Sequence, residues 1–388
     1  MKRLLTFFLI CFSFVEYTRA KDIIDYKYWD EGKLTWDDFQ DTLSLKGVPS
    51  AFNAFLRIEK TEKRDGNTRT IRPEAQACFD KRHSFADRQI QNENLLRLFQ
   101  LKYDLLEMYR RRLQTELNLG VVGIAADNRT RQYMDLYTEQ SKKAEQETEN
   151  GQNEIKLQEW EFYVTKELIE NPAPSIPRIS PRRFGYGFYL GTGASFPVGS
   201  IADYWDPAWQ INVGFDLAYA NTHLLCDFSA GTARTRQEIT VSNGQITDTW
   251  LRNGHNTYTS ISLGIGQQLI STKYFALMPY VGCIWSGYSD QAKIQEGRNE
   301  RTTLSYTNFN WTAGICFDYR FSTTISLVPS FWRGHREIFT ASIRTKLFIN
   351  REQFHNFKAP DDNGSMLRDC KLGFSVACLG FSRLLQIK

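Results

Sequence analysis

"WQINVGFDLAY", residues 209–219, alternates without a break. Trp209, Ile211, Val213, Phe215, Leu217 and Tyr219 fall on one side; Gln210, Asn212, Gly214, Asp216 and Ala218 fall on the other. Successive side chains of a strand point to opposite faces, so a period of two specifies a strand with one apolar and one polar face. The split recurs in "FGYGFYLGTGASF" from Phe184 and "TSISLGIGQQL" from Thr259. It returns in "FNWTAGICFDY" from Phe309 and "IFTASIRTKLFI" from Ile338. Nine strand-like stretches can be counted, the last being "KLGFSVACLGF" from Lys371.

The connections have their own rhythm. Short turns at Asn221-Thr222 and Ser271-Thr272 alternate with long polar stretches near 233–257 and 288–305. Short turns on one side and long loops on the other characterise outer-membrane barrels, whose bacterial members have even strand numbers. The stretches are long enough for tilted crossings, and a closed sheet leaves no unpaired edge in lipid. Eight strands are therefore expected, with ten as the alternative. Alternation alone does not say which face points outward, because a lipocalin-like soluble barrel alternates equally well.

Three features favour lipid outside. The polar row carries Asp216, Asp227, Asp318, Arg344 and Lys346, a charge cluster that can pair within a lumen. Gly185, Gly187, Gly191, Gly193, Gly214, Gly264 and Gly314 crowd the same row and leave volume for long side chains. Phe184, Trp209, Tyr219, Phe309, Tyr319 and Phe339 stand at strand ends of the apolar row, where interfacial aromatic girdles lie. Residues 184–388 resemble the small outer-membrane barrel domains of Bacteroidetes-type bacteria. An eight-strand wall encloses little more than side chains. Its inward charges are expected to form a plug of ion pairs, the alternative being a narrow or gated pore.

The rest of the chain fits export. The first twenty residues, "MKRLLTFFLICFSFVEYTRA", have a basic start, an apolar stretch and a small-residue site ending at Ala20, as a secretory signal does. Ile10 before Cys11 argues against lipoprotein processing. The six later cysteines match no zinc-ligand spacing, and Cys226 and Cys378 read as small hydrophobes in apolar rows. With 48 basic and 44 acidic residues and no basic run interleaved with aromatics, no nucleic-acid partner is expected. Pro172, Pro174, Pro177 and Pro181 make 171–183 a semi-rigid linker. Before it, residues 21–170 read as an α+β domain in the periplasm, with helices around 91–118, 128–148 and 153–170.

Within that domain Leu34-Thr35-Trp36-Asp37-Asp38-Phe39 resembles the opening motif of the domain of unknown function 922 family, regarded as zinc-dependent peptidases. The family's central helix reads approximately HExxHFDxxExYxRxL. Tyr103 and Asp104 match the aromatic-Asp pair, and Glu107, Tyr109, Arg111 and Leu113 keep the spacing that follows. Thr148-Glu149-Asn150-Gly151 and Trp160 resemble a later T-x-H-G stretch and its tryptophan. The resemblance covers most of residues 28–170 and implies a peptidase fold. Its ligands are missing, however: the HExxH positions hold Leu98, Phe99 and Lys102, and Asn150 replaces the later histidine. Leucine has no lone pair to donate, and an ammonium repels a dication. His83 is the sole histidine of the domain.

No catalytic residue, metal or cofactor is therefore assigned, and the domain is expected to be a pseudopeptidase. Arg97, Gln100, Asp104, Glu107, Arg111 and Gln114 recur three and four apart on the central helix and read as a solvated stripe. The expectation is a non-catalytic outer-membrane barrel of a Gram-negative envelope, in contact with outer-membrane lipid and carrying a periplasmic domain for a protein partner. A transport or surface-adhesion barrel and a hydrolase with an unrecognised site are the alternatives.

Overall fold

The computed structural model describes residues 26–41, 49–242, 247–290, 305–328, 336–354, 357–358 and 367–387; the export signal at 1–20 lies outside them. Two compact units result, one of residues up to Glu59 with Glu74–Ser175, the other of Lys60–Pro73 with the chain from Ile176 on.

The first unit is α+β. Its strands are β1 (Tyr26–Tyr28), β2 (Ser50–Ala51), the start of β3 (Ala54–Asp65), the end of β4 (Thr68–Asp80) and β5 (Phe85–Ala86), the tip of the β3–β4 hairpin, Lys60–Pro73, belonging to the second unit. They precede α1 (Glu93–Leu119), α2 (Ile124–Glu147) and α3 (Glu154–Glu170). Asn92 caps α1 by accepting from the Leu95 amide at 2.9 Å, and Gly120 at φ 121° ends it. α1 is the unit's central helix, and Leu98, Tyr103, Leu105, Leu106 and Leu113 are each at most 1% exposed.

The polar stripe of α1 is covered rather than solvated. Gln100 accepts from the Leu34 amide, Asp104 from the Trp29 indole and Gln114 from the Ala75 amide. Arg97 pairs with Glu161. Spacing along the helix defined the stripe correctly; chain segments distant in sequence pack over it and satisfy each group.

The second unit is a closed antiparallel barrel of eight strands. They are β6 (Ile179–Pro197), β7 (Ala208–Tyr219), β8 (Thr222–Arg234), β11 (His255–Gln267), β13 (Phe275–Asp290), β14 (Ser305–Ser326), β15 (Glu337–Phe354) and β17 (Leu367–Ile387). The short strands β9 (Ile239–Ser242), β10 (Thr247–Trp250), β12 (Ile270–Ser271) and β16 (Phe357–Lys358) lie in the connections. Each wall strand pairs with the next, and β17 closes on β6. The wall therefore settles on eight strands rather than ten.

The connections from β6 to β7, β8 to β11, β13 to β14 and β15 to β17 leave the wall at one end. At the other, β7 and β8 meet through Ala220-Asn221, and the wall both begins and ends. The proline-rich linker is shorter than 171–183, because β6 starts at Ile179. Pro181 is tolerated there because it faces Leu385 where the β17 register shifts, a bulge that demands no ladder donor from it.

One element crosses the predicted domain boundary. β14 continues past Tyr319, which faces the first residue of β13, and β4 takes up the edge so exposed. Thr68–Ile71 run parallel to Thr323–Ser326, and the Asn67 amide donates to the carbonyls of Lys273 and Arg320.

The wall's exterior is apolar on every strand. Phe188, Trp209, Ile211, Phe215, Ile265, Val281, Phe309 and Leu347 are each about half exposed or more. Phe184, Tyr219, Phe275 and Tyr319 lie at the short-turn end, and Trp209, Trp285 and Phe309 toward the other. A continuous belt of this kind far exceeds the apolar patches of soluble monomers and is a surface solvated by acyl chains. Cys226 and Cys378 are exposed within it, and all six described cysteines are free. No described helix is long and apolar enough to cross a membrane.

Candidate functional site

Alternation turns the polar row inward, and register decides which charges meet. Asp318 on β14 faces Arg344 on β15. The guanidinium donates to Asp318 through Nε and Nη2 at 2.7 and 2.8 Å, and Nη2 also donates to Asp216 Oδ2 at 2.8 Å. Asp216 Oδ1 lies 2.7 Å from His223 Nδ1. Lys346, two residues further along β15, donates to Asp227 Oδ2 at 2.6 Å. That oxygen also accepts from Ser262 at 3.1 Å, and its twin accepts from the Tyr189 hydroxyl.

The five sequence-nominated charges thus form two groups, Asp216-Arg344-Asp318 and Asp227-Lys346. None is more than 9% exposed. Removing an ion from water costs several kcal/mol, so such groups persist only when paired and hydrogen-bonded, as these are.

Aromatic rings fill the space between them. The Lys346 ammonium lies 4.8 Å from the Tyr280 ring centre and 5.8 Å from that of Tyr189, with Arg344 5.2 Å from Tyr189. The inward glycines have a concrete role here. A Cβ on Gly214 would stand 2.1 Å from the Tyr189 ring, so the tyrosine lies against bare backbone.

A third pair escaped sequence reasoning. Lys371 donates to Glu352 at 3.1 Å, Ser286 donates to the same carboxylate, and the ammonium sits 4.5 and 4.4 Å from the Tyr258 and Tyr288 ring centres. Lys371 heads the last alternating stretch and Glu352 lies just beyond the one from Ile338. Continuing the period of two past the apolar residues would have found both.

The long connections are not merely polar. Ile201, Trp205, Ile239 and Trp250 are buried with Tyr258 and Tyr288 in one cluster, with Trp205 stacked on Tyr288 at 4.8 Å. This cluster caps one end of the lumen. Beneath it a cavity of about 30 Å³, lined by Asn212, Tyr258, Ser260, Lys346 and Asn350, has room for little more than water. At the short-turn end a larger cavity of about 390 Å³ reaches His223, Arg320, Arg344 and Arg383.

In the first unit the peptidase-like positions are occupied by packing. Leu98 is buried. Phe99 lies 5.2 Å from Phe39, 5.5 Å from Phe52 and 6.3 Å from Trp36, ring centre to ring centre. Lys102 pairs with Glu145 at 2.5 Å and lies 4.8 Å from the Phe52 ring centre. Glu107 holds Arg110 and Arg111. Thr148–Gly151 form the turn between α2 and α3, and Trp160 donates to Glu147 at 2.9 Å. His83 is 2.8 Å from Asp80. Among the described residues no three His, Cys, Asp or Glu side chains are gathered in a way that could hold a metal ion.

Burial raises the Asp104 pKa above the ordinary carboxylate value, although the Trp29 and Gln100 donors oppose the shift. Burial likewise pushes the Cys78 thiol up to about 12, so it is no nucleophile at neutral pH.

No family model and no curated protein sequence matches the chain. Among solved structures it is similar to Ail, the attachment invasion locus protein of Yersinia pestis, in complex with the heparin analogue sucrose octasulfate. That similarity has 10% identity and a TM-score of 0.27, over 52% of this chain and 99% of that one. It is also similar to the outer membrane protein OprG from Pseudomonas aeruginosa, with 10% identity and a TM-score of 0.29 over 53% and 97%. The N-terminal β-barrel domain of OprF from the same organism gives 11% and 0.22 over 53% and 100%.

Proposed function

We propose that the protein is a non-catalytic outer-membrane barrel whose plugged wall anchors a folded α+β unit in the periplasm. The supporting observation is the pairing of an apolar exterior with a lumen filled by Asp216-Arg344-Asp318, Asp227-Lys346 and Glu352-Lys371. An exterior of that kind needs lipid, and an interior of that kind leaves no open aqueous path. In such barrels long connections face outward and short turns face the periplasm. The wall begins at Ile179 on the short-turn end, which supports a periplasmic position for the leading unit. In this reading the leading unit is a peptidase-like fold that has given up its metal and serves as a binding platform for a periplasmic protein.

Membrane fractionation with a heat-modifiability gel tests the anchor. The protein is expected in the outer-membrane fraction, migrating as a compact band that shifts on boiling; recovery in the soluble periplasmic extract would refute it. Stoichiometric zinc in the purified protein would overturn the pseudopeptidase reading. A narrow gated path is the second reading, favoured by the buried Asn212 and Asn256 amides, which lack hydrogen-bond partners among the described residues beside the lumen. Steady single-channel steps in a planar bilayer would favour it, and a silent bilayer the plug.

A further inference from the structure

The cavity of about 390 Å³ at the short-turn end is of the size that holds small ligands. Its charged lining is one-sided: Lys273, Arg320, Arg344 and Arg383 against Asp318. Lys273 has Asp65, and Arg344 is shared by Asp216 and Asp318. Arg320 and Arg383 have no carboxylate partner among the described residues. Counting these four cations against Asp65, Asp216 and Asp318, one positive charge is left over.

Both unmatched guanidiniums are held in place by backbone carbonyls. Arg320 donates to Thr272 O at 2.7 Å, and Arg383 donates to Ala220 O at 2.5 Å and Arg183 O at 3.3 Å. A guanidinium has five N–H donors, so most of each fork remains for a ligand. Two further nitrogens on this lining have no partner among the described residues. His223 Nε2 lies across the ring from the nitrogen that meets Asp216, and Arg344 Nη1 is the terminal nitrogen that neither aspartate engages. Both side chains are more than nine-tenths buried. Leaving the Arg344 donor without an acceptor carries the desolvation penalty of that group, which an oxygen-rich anion would relieve.

We propose that this vestibule is a binding site for a small oxyanion, a phosphate or carboxylate group, held by Arg320 and Arg383 with Arg344 behind them. Forked guanidiniums match such planar or tetrahedral oxygens two at a time, which an ammonium cannot do.

The test uses the full-length protein refolded in detergent, titrated calorimetrically with inorganic phosphate against chloride at constant ionic strength. Saturable binding at one site is expected. Arg320→Gln and Arg383→Gln should each weaken it about tenfold, the loss of one charge-assisted contact. Lys in place of either should retain part of it, and Arg236→Gln at the opposite end should leave it unchanged. The heat-modifiable band shows which variants have folded. Native mass spectrometry separates two sources of the anion. A phospholipid carried by the wild type and lost from the glutamine variants makes it a headgroup, and a bare protein that binds free phosphate makes it a solute. Absence of saturable phosphate binding in a lipid-free wild type, or equal affinity in folded Arg320→Gln and Arg383→Gln proteins, would overturn the proposal.

Discussion

Single side chains decide whether the lumen is tolerable. Lys346→Met would strand Asp227 in the wall's interior, where an unpaired charge costs ~3–5 kcal/mol, whereas pairing it with Asp227→Leu should recover most of the loss. The urea midpoint of the heat-modifiable band measures both, and equal stability of single and double variants would contradict the pairing. Gly214→Ala should cost ~1–3 kcal/mol by the same assay, because its Cβ would overlap the Tyr189 ring. Asp104 gives a pH signature. Its folded-state pKa lies above the unfolded one, so the folded protein holds more protons and this residue's contribution falls as pH rises through that interval. Asp104→Asn should therefore raise stability at neutral pH and lose its advantage below the ordinary carboxylate range. Helical ellipticity reports it, since the described α-helices all lie in the first unit. These residue-level facts divide sharply in legibility. Asp216 and Arg344 were visible as inward charges because alternation alone sets a face. That they meet each other, or that Tyr189 rests on Gly214, depends on register between strands, which one strand's pattern does not contain.

Among the elements, the long wall strands were the easiest to see and the β3–β4 hairpin the hardest. Residues 209–219 form β7 with the apolar row outward, as the period of two required. The hairpin reads as part of the leading domain, yet Asn67 bonds the Arg320 carbonyl across 253 residues of sequence. Nothing local announces that, because β14 supplies the receptive edge only by outrunning β13. Asn67→Ala should remove the two hydrogen bonds to the Lys273 and Arg320 carbonyls and cost about 1–2 kcal/mol. Faster hydrogen exchange at the Thr323 and Leu327 amides, which donate to Asn67 O and Ile71 O, would mark the hairpin's release. Unchanged exchange would mean that β4 contributes little there. The α1 stripe teaches a related lesson: helical spacing identifies a polar face, and only the fold says what lies over it.

At the scale of the whole molecule, two units with separate cores should unfold separately. In rising urea the helical signal is expected to vanish while the compact gel band persists, and loss of both at one concentration would show a single cooperative block. Composition and alternation both change near the prolines. The apolar cap of Trp205 and Trp250 was not legible, because isolated tryptophans in polar loops carry no period. The seam between β6 and β17 has a consequence for how the chain is made. The first wall strand can find its second neighbour only after the final 21-residue strand has left the ribosome. Until then every partial sheet is an open ribbon with two reactive margins, so a nascent or clipped polypeptide must be shielded by escort proteins or destroyed, with no half-built form to fall back on.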